Sequence, residues 1–579
     1  MATQFFTAII GLTFAGSWAV AATTVYTGSS SGGVFNDDDN WSAASPGDNP
    51  APEGLNDLGI FNSTTNVDGT ITFDADATHF RTFVQNTSGT IAFDTGDFKW
   101  TMTGFFLTGT AVTEQNHIQL INGEIQSEII LLGNTAGSTN PNVIEVIGPT
   151  ALWHTTTTGG GFRVGSGGSA NSQFIVRDGG TITGNGQIII GLVSSANGLM
   201  RVTGDGSTAT VAGSIQVGGG NSAQSENNRL EVLDSGHVTG GQLLMGVTGF
   251  ADNNTTLVSG TGSTLTITGV SRSDIGRVGA GHTLQIDNGG TVDGSANFTL
   301  GVEADSTGNQ ILVNGSGASL TGTGVDARRG TLSVNGGAVI LNDVFDAEDE
   351  VYSGGALLAN VGASSVVDLN QGSISAIHAN IANGSAFTVG DGGAESATYH
   401  MKKIGDGNNG THTFADGLSL SSNAILSGSG NIVGSVTGTA GAQIDVGASP
   451  GVINVDGSWN NTGLNVGLEV GNLALVPAQA GVGYDLLNVS GPFSHGGTVN
   501  IDVSGFAAGS GFVQDLKLIG WSSEVGSSAA TGVSFVGGPA LPFQIRSDGL
   551  YLTDVSFSII PEPSTIAMFA IGLILFGVG

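Results

Sequence analysis

From Gly165 to about Gly337 the chain repeats itself, and that repetition limits the folds open to it more than any other feature. Aligned on the apolar residue after each Gly, Asp, Asn or Ser turn, Ile182 ("DGGTI"), Ala209 ("GDGSTA"), Val238 ("DSGHV"), Leu265 ("GTGSTL"), Val292 ("NGGTV") and Leu320 ("GSGASL") lie 27, 29, 27, 27 and 28 residues apart. A second mark runs in step, an apolar residue followed by glycine: Ile190-Gly191, Val217-Gly218, Met245-Gly246, Val278-Gly279 and Leu300-Gly301. Between the marks the side chains alternate. In "TLQIDNGGTVDG", Leu284, Ile286 and Val292 take one side and Gln285 and Asp287 the other, the period-two signature of short strands between Gly and Asn turns. A period near 27 built of such strands predicts an all-β chain, a parallel β-helix or β-solenoid in which each coil buries an interior it cannot bury alone. A stack of β-sandwich domains is the competing reading, but sandwiches use strands of about 5–6 residues and repeat over roughly 100.

Composition fits the repeat. Glycine supplies 98 of 579 residues and hydrophobic residues 39%; the glycines suit corners that need positive φ, and the apolar content is too high for a disordered chain. Asp and Glu outnumber Lys and Arg 47 to 14, for a net charge of −33, which repels nucleic acid and anionic membrane surfaces at long range. With no cysteine, disulfides contribute nothing and an oxidising compartment carries no risk of mispairing.

The organisation follows from where the pattern starts, blurs and ends. Residues 1–21 read as a signal peptide: an apolar run closes on Ala19-Val20-Ala21, the small-x-small pattern of signal peptidase, although no Lys or Arg precedes Arg81. A buried first helix is the alternative. Residues 22–105 read as an N-terminal β cap, 106–345 as solenoid repeats, 346–455 as degenerate coils and 456–557 as a C-terminal β region, since open solenoid ends expose unpaired strand edges. Residues 558–579 stand apart. They run "IIPEPSTIAMFAIGLILFGVG" from Ile559, and Ile566 to Gly579 is uncharged. As a helix those fourteen residues reach about 21 Å, against about 30 Å of hydrocarbon, so the short apolar helix expected here makes transient membrane contact and is too short for a permanent anchor.

Few residues carry chemistry. Gly447-Ala448-Ser449-Pro450-Gly451 and Gly28-Ser29-Ser30-Ser31-Gly32 match G-x-S-x-G, but a nucleophile elbow needs a helix after the serine, and here Pro450 and a strand-like run follow Ser449. The nine histidines are scattered without H-E-x-x-H, and His237 and His282, close to repeat marks, read as surface residues of the coils. No Gly-Lys-Ser/Thr closes a phosphate loop. Asp37-Asp38-Asp39 and Asp346 to Glu350 are acidic without Ca²⁺-loop spacing. Arg163, Arg177, Arg201, Arg229, Arg272 and Arg277, with Asp178, Asp205, Asp234 and Asp274, are spread over successive repeats; that spread predicts salt bridges between neighbouring rungs, since a catalytic site is singular. The residues therefore predict no catalytic residue, no metal and no cofactor.

The tail resembles the PEP-CTERM sorting signal of Gram-negative bacteria, at Pro561-Glu562-Pro563-Ser564-Thr565 beside the apolar run, though the basic cluster that closes the family pattern is absent up to Gly579. The repeats resemble those shared by PEP-CTERM proteins and type V autotransporter passengers, in "LQIDNGGTV" and "VGAGHTLQI", and "DVGASPGVINVDG" resembles the closing segment of such passengers. The resemblance implies Sec-dependent export, processing by an exosortase near Pro561 to Thr565, and residence at the outer surface or in an extracellular matrix with exopolysaccharide and biofilm. The expectation is a structural or adhesive surface protein. The alternative is a carbohydrate-active β-helix enzyme, a lyase or hydrolase, or a sugar-binding adhesin.

Overall fold

The alternation in "TLQIDNGGTVDG" becomes two strands, Thr283–Asp287 and Thr291–Gly294, joined by a turn in which Asn288 and Gly289 both take positive φ, 51° and 85°. That backbone conformation favours Gly and Asn, and Asp178-Gly179 and Asp234-Ser235 repeat it. The computed structural model describes residues 23–557, apart from 30, 44–50, 53–56, 62–65, 136–139, 168–169, 193–195, 220–224, 249–250, 347–350, 355, 360–364, 405–406, 448–449, 472–478, 506–507 and 525–531. The expected signal peptide and the expected apolar helix of the tail lie outside the described residues. Within them the chain is all-β and mostly parallel, and its one helical turn is the 3₁₀ segment Asp38–Asn40. Two compact units divide the chain, Met1–Gly240 and Gly241–Gly579.

In the first unit three strands make one coil, and each strand pairs in parallel with its counterpart one coil later. Gln173–Arg177, Thr181–Gly184 and Gln187–Ile190 are followed by Leu199–Thr203, Thr208–Val211 and Ser214–Val217. Phe174 stands over Met200 and Leu230, Ile182 over Ala209 and Val238, and Ile190 over Val217. All eight side chains are fully buried. This is a β-helix-like interior: each coil supplies an apolar layer that its neighbours cover. The same parallel register begins at Thr23–Tyr26, which lies against Leu58–Phe61. Trp41–Ala43 runs antiparallel to that first strand, so both its edges are paired. Beneath it Trp41, Phe35, Phe61, Phe73, Phe93 and Trp100 form one aromatic cluster, with neighbouring ring centroids 4.6–5.6 Å apart.

The second unit continues the same rules within itself. Leu265 stands over Val292 and Leu320, and Ile275 over Leu300. Here the second repeat mark needs correcting: the residue in the stack with Met245 and Leu300 is Ile275, followed by Gly276, and not Val278. Both dipeptides are apolar-Gly, and only the pairing tells them apart. Parallel pairing persists through Val366–Ala376, Ala397–Met401 and Ala424–Gly428, where the recurrence of residue types fades. Near the end Ala508–Glu524 pairs in parallel with Leu486–His495 and antiparallel with Gly549–Phe557, which carries Phe543–Arg546 on its other side. The parallel stack thus closes on an antiparallel edge.

A buried polar column at the entry to the first strand, broken by Gly198, explains the glycine of the second repeat mark at Gly191. In the first unit the Asn116 amide nitrogen donates to Asn142 Oδ1 at 2.8 Å, and Asn228 Oδ1 accepts from the Gly198 N–H at 2.9 Å. Ser225 supports it, accepting from Asn228 at 3.1 Å and donating to the Gly191 carbonyl at 2.6 Å. In the second unit Asn309, Ser306 and Gly276 repeat the arrangement. A Cβ on Gly191 or Gly276 would run into the asparagine side chain; glycine is required there because Asn packs where a side chain would go. His282 takes the asparagine's place in one coil and is fully buried, which corrects the surface position expected of it. His237 is exposed, as expected.

Candidate functional site

The outward faces of the coils differ in chemistry according to which strand they lie on. In the first unit the first strands carry the charge. Glu145 receives His117 Nε2 at 2.9 Å, Gln119 Nε2 at 2.7 Å and Arg177 Nε at 3.0 Å. Led by the His117 bond, these hold its carboxyl down to about 2 against burial. Glu231, 2% exposed, sits between Arg229 and the directly registered Arg201, whose Nη2 is 2.6 Å away. The inter-rung bridges expected for the arginines are present with partners that were not foreseen, Glu145 and Glu231, while of the expected aspartates Asp178 pairs with the adjacent Arg177 and Asp274 with Arg272, each within its own coil. Arg163 instead bonds the Gly159 carbonyl, and Asp234 accepts from Thr203. Aligning "LMRVT" with "RLEVL" would have found Glu231, since Arg201 and Glu231 hold the same place in successive coils. Because both arginines stay half in water, replacing Glu231 with Gln is expected to cost only about 1 kcal/mol in urea unfolding.

On the second strands of this unit an ion pair, Lys99–Glu124 at 2.6 Å, lies in the early coils, and from Thr181–Gly184 to His237–Gly240 these strands carry no Asp, Glu, Lys or Arg. Thr181 and Thr183, Thr208 and Thr210, then His237 and Thr239 stand in register, and Thr208 Oγ1 donates to Thr181 Oγ1 at 3.2 Å.

In the second unit the first strands carry an amide ladder: Asn314 donates to Asp287 at 3.0 Å, Asn335 to Asn314 at 3.3 Å and Asn370 to Asn335 at 2.9 Å. The third strands carry the ion pairs Arg272–Asp274, 2.9 Å, and Arg328–Asp326, 2.7 Å. Burial raises the Asp274 carboxyl, against the pull of Arg272, Arg277 and Arg328.

One groove in this unit, of about 420 Å³, gathers carboxylates: Asp445, Glu469, Asp485 and Asp502 line it with Asn500. Asp485 is the perturbed group. It is 2% exposed, and burial pushes it up to about 7, with Glu469 and Asp445 acting in the same direction. Its two oxygens accept the Gly451 N–H at 2.6 Å and the Glu469 N–H at 2.7 Å. Both oxygens are thus engaged by backbone, and the carboxyl clamps the turn at Gly451 to the end of the strand Asn465–Glu469. Gly447 and Gly451, the ends of one G-x-S-x-G match, lie between the strands Gln443–Val446 and Val452–Asp456, and no helix follows; Ser449 itself and Ser30 lie outside the described residues.

The remaining expected sites divide simply. Asp37 caps the 3₁₀ turn, accepting the Asp39 N–H at 3.1 Å, and Asp346 ends the two-stranded hairpin formed with Val351–Gly354. Among the described residues no group of three His, Asp or Glu is placed to hold a metal ion, and no helix is long and apolar enough to cross a membrane. Ala19, Ala21 and Pro561, Glu562, Pro563, Ser564 and Thr565 lie outside the described residues. No known family model matches the chain, and no curated protein is significantly similar to it.

Proposed function

We propose that the chain is a parallel β-solenoid exported to the cell surface or extracellular matrix of a Gram-negative-type bacterium, with a structural or adhesive and non-catalytic role toward exopolysaccharide. The observation that carries this reading is the regularity of the outward faces: hydroxyls, amides and ion pairs recur coil after coil. Asp485, the buried acid with a strongly raised pKa in the carboxylate groove, has both oxygens committed to the backbone. A surface repeated along a stack suits a partner that is itself repetitive. Export rests on the N-terminal segment ending Ala19-Val20-Ala21, and sorting by an exosortase on Pro561 to Thr565.

Fractionation of Gram-negative cells carrying an exosortase system tests the address. The full chain is expected at the cell surface with a mature N-terminus just after Ala21 or Ala22, and a chain lacking Pro561 to Gly579 is expected to be redistributed. Identical distribution of the two chains would remove the sorting role.

A further inference from the structure

In the second unit the second strands of seven successive coils stack in direct register, from Thr264–Ile267 to Ala424–Gly428. Neighbouring strands lie about 4.8 Å apart, so this outward strip is about 29 Å long. Each strand turns two residues outward, as in Thr264 and Thr266, Ser319 and Thr321, and Ser373 and Ser375. Of the fourteen outward positions nine carry a hydroxyl, and one, Asp293, carries a charge. In a chain of net charge −33, with ion pairs on the third strands of the same coils, such a strip is a local exclusion of charge.

We infer that this strip is the docking surface for a neutral, extended polysaccharide lying along the stack. A polyanion finds no Lys or Arg at the fourteen positions, the nearest ammonium, Lys402 at the strip's margin, being bound to the Leu341 carbonyl and Asn342, and it is repelled by the net charge of the molecule. A protein partner would need a buried apolar or aromatic anchor, and the apolar outward residues here are only Ala338, Ile340 and Ile425, all half-buried. A polyol needs groups that both donate and accept, which is what Ser and Thr hydroxyls supply. Some already do so between rungs: Ser319 Oγ donates to Thr291 Oγ1 at 3.4 Å, and His400 Nδ1 pairs with Ser427 Oγ at 2.9 Å. Midway, Ala338 and Ile340 offer an apolar seat for the C–H face of a pyranose ring. A ribbon-like, equatorially linked glycan stays straight over this length and presents hydroxyls at every residue, whereas a coiling glycan leaves the strip. Each contact is weak, so affinity grows with the number of sugar units engaged.

This deepens the polysaccharide-contacting role proposed above and rests on it. Titration calorimetry on the full chain with cellohexaose, cellotriose and oligogalacturonate is the test. Cellohexaose is expected to bind more tightly than cellotriose, and oligogalacturonate not to bind. The double variant Ser373→Glu/Thr398→Glu should weaken cellohexaose about tenfold, equivalent to about 1.4 kcal/mol. The control Gln310→Glu/Thr331→Glu, with the same charge on the first strands, should not, and circular dichroism establishes that both are folded. No binding of cellohexaose, equal losses in both variants, or preferred binding of oligogalacturonate would overturn the inference. Cellohexaose binding by a chain that fails to reach the surface would sustain the strip and overturn the export reading alone.

Discussion

Acidification from pH 6.5 to 4 is expected to bring the melting temperature down steeply, because four imidazoles are folded in as neutral rings. His79, His282 and His412 are 0% exposed and His495 1%; burial holds His79 and His412 down to about 3 and His282 and His495 to about 4. Unfolded imidazoles titrate near 6.5. Between the folded and unfolded values the unfolded chain binds more protons, so this contribution to stability is complete above pH 6.5 and is lost as the pH falls toward 4. For His282 and His495 the shift corresponds to about 3 kcal/mol each, on a scale where whole domains have about 5–15. Asp485 works the other way. Its folded pKa is raised to about 7, so its contribution is present below the unfolded carboxylate value and is lost as the pH rises through 7. Glu145, held down to about 2, loses its share only below about 4.5. One carboxyl does not offset four imidazoles.

His282 isolates a single ring of this set. Its Nε2 donates to the Val278 carbonyl at 3.2 Å, and its Nδ1 accepts the Asn254 N–H at 3.4 Å, an arrangement only the neutral tautomer satisfies. Protonation would set a donor against a donor inside the core. Asn254 and Asn309 occupy the same place in the adjoining coils, so His282→Asn introduces the residue that both neighbouring coils use. Thermal melts by circular dichroism from pH 6.5 to 4 should give a shallower slope for this variant. Equal slopes would show that the ring does not contribute.

How much of this was legible follows from which interactions leave a periodic trace. The first repeat mark, from Ile182 to Val238 and from Leu265 to Leu320, coincides residue for residue with the paired positions, since a side chain stacked in every coil must recur at the coil length. The second mark slipped from Ile275 to Val278 because a second apolar-Gly pair, Val278-Gly279, lies in the turn just after the one that closes the third strand. From Val339 to Ser421 the repeats blur while the pairing continues, because parallel strands need alternation of inward and outward residues and not identity between coils. Glu145 and Glu231 were missed as ion-pair partners for a related reason: they face outward, where position in the rung matters and recurrence does not. The asparagine column leaves a trace, Asn116, Asn142, Asn228 and Asn254 each just before a first strand and Asn309 at the start of one, but Asn at a strand's entry reads as turn chemistry until the buried hydrogen bonds are seen.

That column makes the second large prediction, which separates two roles of glycine. Gly191 has φ of 77° and Gly96 φ of 58°, so alanine at either is strained by about 1–2 kcal/mol. Their surroundings differ. Nothing lies within 4 Å of a Cβ built on Gly96, whereas one on Gly191 meets the Asn228 amide and Ser225 Oγ. Asn228 is fully buried and holds the Gly198 N–H; displacing it leaves polar groups without partners, at about 1–3 kcal/mol. Gly96→Ala is therefore expected to cost about 1 kcal/mol and Gly191→Ala about 3, both read from urea midpoints in the full chain. The double variant Gly191→Ala/Asn228→Ala should cost less than the sum of its singles, since a shortened side chain at 228 makes room for the new methyl. Equal costs at Gly96 and Gly191 would mean that the second repeat mark records backbone conformation alone. A larger cost at Gly191, relieved at Asn228, would mean that it records the packing of one coil's asparagine against the glycine two coils before.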